Sequence, residues 1–224
     1  MYSYIVLGIA IIILIYIAVH FHPVKTQRID DNLYVVQCMF VNFYVYKIND
    51  NIILFDCGMN KLLVKNGLKK INISPDEITD IFLTHSDYDH TGGIDLFKNA
   101  KVYISEKEEP LITNKKARRM FMYNNQINNY KTLKNEETII IGNTNIKIIE
   151  TPGHTDGSAS YLINGNYLVT GDLLYLTRNK NIKPFIFVIN MSHSQDKESI
   201  KKLHNVIENA EYVLTGHSGI KRKK

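Results

Sequence analysis

Seven residues of this 224-residue chain have the types and the spacing of metal ligands. The segment Thr84-His85-Ser86-Asp87-Tyr88-Asp89-His90 offers two imidazoles and two carboxylates within six residues. Three later places add one each: His154 in Thr151-Pro152-Gly153-His154-Thr155, Asp172 after Gly171, and His217 after Thr215-Gly216. These four places take four of the chain's eight histidines. Imidazole and carboxylate are the usual ligands of zinc, manganese or iron in hydrolytic sites. Two such ions a few ångström apart can share one hydroxide and clamp a scissile carbonyl or phosphoryl group. A carboxylate can bridge both ions, which one imidazole does poorly. A solvated loop with capping aspartates accounts for residues 85–90 taken alone, but not for four such places in order, each following a predicted strand.

The elements that must position these groups are legible from hydropathy. Runs rich in Val, Ile, Tyr and Phe at 33–37, 43–48 and 52–55 read as consecutive strands, with Asn49-Asp50-Asn51 as a hairpin turn. Residues 61–71 read as a helix. Ser74-Pro75-Asp76-Glu77 reads as a capping-box helix start. Strands are expected at 80–84 and 102–105 with a short helix at 93–98 between them, and a helical or irregular insert at 106–136. Two hairpins follow, 138–141 with 146–151 around Gly142-Asn143, and 159–163 with 167–170 around Asn164-Gly165-Asn166. Ser192 with Gln195 caps a last helix whose apolar stripe is Ile200, Leu203, Ile207 and Ala210. Residues 211–215 read as the last strand. The pattern predicts an α/β chain with two sheets and helices outside.

The N-terminus reads differently. Residues 2–21 carry no charge, and the first charged side chain is Lys25. About twenty residues at ~1.5 Å each span about 30 Å, the thickness of a bilayer core. Tyr2, Tyr4, Tyr16, His20 and His22 lie mostly toward its ends, and Pro23 stops the helix. A cleaved signal peptide would want a basic residue before the apolar run and small residues at its end, and neither is present. The expectation is a single-pass transmembrane anchor at 1–22 followed by one domain at 23–224. Lys25 and Arg28 after the span place that domain in the cytoplasm by the positive-inside rule. The net charge of +5 comes largely from Lys221, Arg222, Lys223 and Lys224, so no nucleic-acid partner is expected. Two cysteines exclude a disulfide scaffold.

The ordered set H-x-D-x-D-H, T-P-G-H, G-D and G-H resembles the metallo-β-lactamase superfamily over nearly all of 30–217. The resemblance includes Asn42 between the first two strands, Asp56-Cys57-Gly58 after the third, and Gly92-Gly93 after the ligand loop. It implies an αββα four-layer sandwich with two divalent ions at one edge. It implies that His85, Asp87 and His154 hold the first ion, that Asp89, His90 and His217 hold the second, and that Asp172 bridges. An aspartate at 172 resembles the glyoxalase II and lactonase branch. The implied activity is hydrolysis of an ester, thioester or lactone in a small-molecule substrate by a hydroxide held on the ions, with Asp89 or Asp172 orienting it or taking a proton. A phosphodiesterase or nuclease, or a non-catalytic metal- or partner-binding protein, are the alternatives.

One position departs from the family pattern. Most members have His where this chain has Asp87, which removes one unit of formal positive charge from the site. Zinc is the ion the resemblance implies, while the extra hard oxygen ligand tilts preference toward Mn²⁺ or Fe²⁺. The same loop variant resembles the hydrolase domain of DNA-uptake channel proteins, though the other three motifs follow the glyoxalase-like branch. Of the remaining residues, Asp56 is expected to orient the ligand loop through hydrogen bonds. Cys57 is read as buried and inert, Cys38 as core, and His193 and His204 as surface. Lys115, Lys116, Arg118 and Arg119 read as a solvated basic face, with lipid headgroups or an anionic substrate as the alternative contact. The resemblance implies that the segments holding Tyr123, Tyr175 and Lys183 border the pocket.

Overall fold

The computed structural model describes residues 7, 8, 11, 19–186 and 189–223. The apolar stretch 2–21 lies largely outside these, and among the described residues no helix is long and apolar enough to cross a membrane.

The first sheet runs in chain order: β1 (Gln27–Arg28), β2 (Leu33–Cys38), β3 (Val41–Ile48), β4 (Asn51–Phe55), β5 (Asp80–Phe82), β6 (Lys101–Ser105) and β7 (Tyr130–Leu133). The first four form an antiparallel meander, and β4 to β7 are parallel. Helix α1 (Lys61–Lys69) carries the crossover from β4 to β5, and α2 (Tyr88–Thr91) is a single turn in the ligand loop after β5. Helix α3 (Glu109–Ile112) begins the connection from β6 to β7.

The second half opens with β8 (Thr138–Ile141), β9 (Thr144–Glu150), β10 (Ala159–Ile163) and β11 (Tyr167–Gly171). A small hairpin of β12 (Leu174–Leu176) and β13 (Ile182–Pro184) follows. Helix α4 (His193–Asn209) then leads to β14 (Tyr212–Thr215) and β15 (Gly219–Arg222). The second sheet has the order β15-β14-β11-β10-β9-β8, with only β11 and β14 parallel because α4 is their crossover.

Period-two alternation sends each strand's side chains to two different cores. Phe43 and Val45 of β3, with Ile52 and Leu54 of β4, pack toward Val64 and Leu68 of α1. Their neighbours Tyr44, Tyr46, Ile53 and Phe55 face the other sheet and meet Ile146, Ile148, Tyr161 and Val169. A third cluster joins Ile149, Leu168 and Val213 to Leu203 and Ile207 of α4. The layers are therefore helix, sheet, sheet, helix, as expected.

Several local expectations are corrected. The capping box at Ser74 is present but opens only a 3-10 turn, Pro75–Glu77, because β5 begins at Asp80. The helix expected at 93–98 is likewise a 3-10 turn, Ile94–Leu96. The insert at 106–136 ends in strand β7, a polar edge whose alternation is weak. Lys221 and Arg222 belong to a further strand, β15, beyond the strand expected to be the last. Strands β1, β12 and β13 were not anticipated; each is only two or three residues long. The residues just before the expected boundary at 22/23 touch the domain. Phe21 packs edge-on against His217, with ring centroids 4.7 Å apart, and His22 N–H donates to the His217 carbonyl at 2.9 Å.

Candidate metal centre

Every candidate ligand sits in a segment leaving a strand at one edge of the sandwich. His85, Asp87, Asp89 and His90 follow β5, His154 follows β9, Asp172 follows β11 and His217 follows β14. The loops are pinned across the two sheets. Tyr161 of β10 donates its hydroxyl to the Leu83 carbonyl, and Tyr44 of β3 donates to the Thr215 carbonyl, both at 2.8 Å. Asn42 N–H donates to Gly216 O and Ala159 N–H to Thr84 O. Glycine is required where loops nearly touch: a Cβ on Gly216 would lie 2.6 Å from Asp172 Oδ1.

The structure brings all seven predicted residues together. Three ligand clusters form, His85–Asp87–His154, Asp89–His90–His217 and His85–His90–Asp172. The shared membership places Asp172 between the other two groups. His154 Nε2 lies 3.0 Å from Asp87 Oδ2, and His217 Nε2 lies 3.3 Å from Asp89 Oδ2. The Asp172 oxygens lie 3.3 Å from His90 Nε2 and 3.2 Å from His217 Nε2. The four imidazoles are buried, while Asp87 and Asp89 retain 19% and 23% of their side-chain exposure and form the open side.

The outer nitrogens fix what the inner ones can do. His90 Nδ1–H donates to Asp56 Oδ2 at 2.8 Å, and His217 Nδ1–H donates to the Phe40 carbonyl at 2.8 Å. His154 Nδ1–H donates to Asn190 Oδ1 at 3.0 Å. The Thr84 hydroxyl spends its hydrogen on Asp56 at 2.8 Å, so its oxygen accepts from His85 Nδ1 at 3.0 Å. With Nδ1 so engaged, each ring in its neutral form presents an Nε2 lone pair to carboxylate oxygens. Facing acceptors with no hydrogen between them repel in a buried site. His85 Nε2, His90 Nε2 and Asp172 Oδ1 are buried without a hydrogen-bond partner. A proton or a metal cation resolves this conflict, and the three clusters of His and Asp ligand atoms, each within 4.8 Å, fit divalent ions.

Protons compete for the same lone pairs. Burial lowers His90 and His154, but Asp172, Asp56 and Asp89 raise His90 well above the ordinary imidazole value, and Asp87 with Asp172 raises His154. Burial pushes the Asp172 carboxyl up, but His217 and His90 hold it well below the usual carboxylate range. Burial also pushes Asp87 up, and His154, His85 and Arg118 more than reverse it. Burial, with His90 and His154 nearby, drives His85 well below the ordinary imidazole value, leaving a neutral ring.

Asp56 acts as expected, accepting from Thr84 N–H at 2.7 Å and orienting His90. Cys57 is fully buried and burial raises its thiol well above the usual range, while Cys38 is core. His204 is exposed, whereas His193 is half-buried at the start of α4. Tyr123 lines a cleft of about 410 Å³ beside Asp87 with Tyr88, Met122 and Ile189. Tyr175 meets His20, and Lys183 is exposed.

Two residues were missed. Arg118 is 8% exposed, not solvated, and its Nε donates to both Asp87 oxygens at 2.8 and 3.1 Å. Glu108 is fully buried and accepts from Ser86 N–H at 2.8 Å, Thr155 Oγ1 at 2.7 Å and Gly157 N–H at 3.1 Å. It ties the first ligand loop to the segment after His154. Both stand in a polar stretch whose sequence carries no periodicity to mark them as buried.

Comparison with known proteins agrees with this fold. The family model of the metallo-beta-lactamase superfamily matches residues 36–217. A probable metallo-hydrolase of Methanocaldococcus jannaschii is 36% identical over 168 residues, 74% of this chain and 69% of that protein. An N-acyl homoserine lactonase of a Bacillus species is 28% identical over 162 residues, 69% of this chain and 61% of that protein. The crystal structure of a subclass B3 metallo-β-lactamase of Bradyrhizobium japonicum superposes with a TM-score of 0.69 at 20% identity, covering 88% of this chain and 79% of that one, which speaks for the fold. By the extent of the family match and by the order of its ligand loops, the chain belongs to the metallo-β-lactamase superfamily.

Proposed function

We propose that the chain is a dinuclear metal-dependent hydrolase of ester, thioester or lactone bonds. The observation that carries this is the set of four Nε2 lone pairs converging on three carboxylates in one buried centre. Similarity to a lactonase and an aspartate at 172 support a carbonyl substrate. His85, Asp87 and His154 would hold one ion and Asp89, His90 and His217 the other, with Asp172 common to both. When bound, the ions acidify a water and polarise a carbonyl oxygen; zinc suits the imidazoles, and Mn²⁺ or Fe²⁺ suits the added carboxylate.

The protein's own groups do the rest. Asp89 orients the attacking water and takes its proton, a role supported by its partial exposure at the open side. Burial of the imidazoles keeps bulk water from competing at the centre. The cleft bordered by Tyr88, Met122, Tyr123 and Ile189 opens on Asp87 and accepts the apolar part of a small substrate. The uncharged stretch 2–21 serves as a membrane anchor, with Lys25 and Arg28 holding the domain on the cytoplasmic side.

The test is a panel of thioester, lactone, phosphodiester and β-lactam substrates offered to the purified full chain. Turnover of a thioester or lactone that chelator abolishes is the expected result. Turnover confined to phosphodiesters would move the assignment to the phosphodiesterase class.

A further inference from the structure

Asp87 stands where an imidazole is usual, and the structure holds a cation against it. Arg118 is buried, and Nε donates to both Asp87 oxygens. Its Nη2 donates to the Ile189 carbonyl at 2.9 Å and lies 3.2 Å from His154 Nε2, to which it donates when that ring is neutral. His154 Nε2 also lies 3.0 Å from Asp87 Oδ2. Nη1 is buried without a hydrogen-bond partner among the described residues. Asn124 reaches the same carboxylate, with Nδ2 at 3.1 Å from Asp87 Oδ1 and 2.6 Å from Ser86 Oγ. The other cluster is built differently, because Asp89, His90 and His217 pair with one another and with Asp56 and Asp172.

We propose that Arg118 makes the two metal positions unequal. It does so by sharing the Asp87 carboxylate and by occupying the His154 lone pair that an ion at the His85–Asp87–His154 position must use. Two physical effects act in the same direction. A nitrogen lone pair serves one partner at a time, so an ion entering this position must displace Nη2 from His154. A guanidinium beside two of the three ligands also repels a dication in a poorly solvated site. Its single positive charge offsets the negative charge that Asp87 adds, so the Asp87–Arg118 pair stands in for a neutral imidazole. The Asp89–His90–His217 position fills first and the His85–Asp87–His154 position second. The effective cofactor content then depends on the free concentration of divalent ion.

This inference rests on the metal reading, and one titration separates the two. The purified full chain, stripped of ions, is titrated with Mn²⁺ while free Mn²⁺ is followed by electron paramagnetic resonance. The wild type should bind two ions in two distinguishable steps. Arg118→Met should tighten the weaker step by about tenfold or more and leave the tighter step unchanged. Arg118→Lys, which keeps the charge, should stay closer to wild type than Arg118→Met. Arg118→Gln retains a donor for Asp87 without the charge and serves if Arg118→Met does not fold. Two equal steps in the wild type, or a weaker step that neither uncharged variant tightens, would overturn the proposal and leave the metal reading standing. Failure of the wild type to bind any ion would overturn both.

Discussion

Each imidazole at the centre has its outer nitrogen tied to a group that is not itself a candidate ligand: Thr84, Asp56, Asn190 or the Phe40 carbonyl. Ligand geometry is therefore set by residues that hold the rings rather than by the ions. Asp87 is the position where the chemistry of this chain differs, and substitution there reads out its role. Asp87→His should add about one unit of positive charge and shift metal preference toward Zn²⁺, since imidazole is softer than carboxylate. Asp87→Asn should empty the first position while leaving the second filled. Metal content measured on both variants checks this, and unchanged content in both would show that Asp87 is no ligand. The seven candidate ligands were legible because their types and spacing are unusual for a solvated loop. Arg118 was not, because its burial depends on a turn in which Arg118 N–H donates to the Met122 carbonyl. A basic run looks the same in sequence whether that turn folds inward or outward.

The element that holds the His154 loop is the start of α4. Ser192 N–H donates to Gly153 O, Met191 N–H to His154 O, and Ser199 Oγ to Pro152 O at 2.7 Å. Gly153 approaches so closely that a Cβ there would lie 2.5 Å from the Asp196 backbone. Burial in this contact raises the Asp196 carboxyl to about 6, with nearby His154 opposing the rise. A raised acid favours the folded state while it is protonated. Its contribution is complete below about pH 4, the unfolded value, and is lost as pH rises through about 6. Asp196→Asn should therefore be more stable than wild type at pH 7 and should flatten the stability profile between about pH 4 and 6. Urea melts across that range measure it; a variant less stable at pH 7 would contradict the burial argument. Strands β2, β3, β4, β9, β10 and β11 were read from sequence because both faces or one face are apolar. Strands β1, β7 and β15 were not, since their short polar runs carry no apolar alternation and their pairing is visible only once a neighbour is placed, whereas the apolar edge strand β8 was.

At the scale of the whole molecule, Glu108 joins the two halves that carry the ligands. It binds Ser86 from the first half and Thr155 and Gly157 from the second. Glu108→Gln puts an amide donor against donors that need an acceptor, and should cost about 1–3 kcal/mol in denaturant melts. The N-terminal segment reaches this assembly through Phe21 and His22. A chain beginning at residue 19 should remain folded and leave the membrane fraction, whereas one beginning at 23 should also weaken the His217 ring packing. The full chain should resist carbonate extraction from membranes; its release by carbonate would contradict the anchor. The central claim is that seven residues form a hydrolytic metal centre. The direct measurement is the rate of thioester and lactone hydrolysis by the full chain alongside its metal content, before and after chelation. About two divalent ions per chain, activity lost to chelator and activity restored by Zn²⁺, Mn²⁺ or Fe²⁺ is the predicted result. A folded chain that binds no ion and hydrolyses normally in chelator would contradict it.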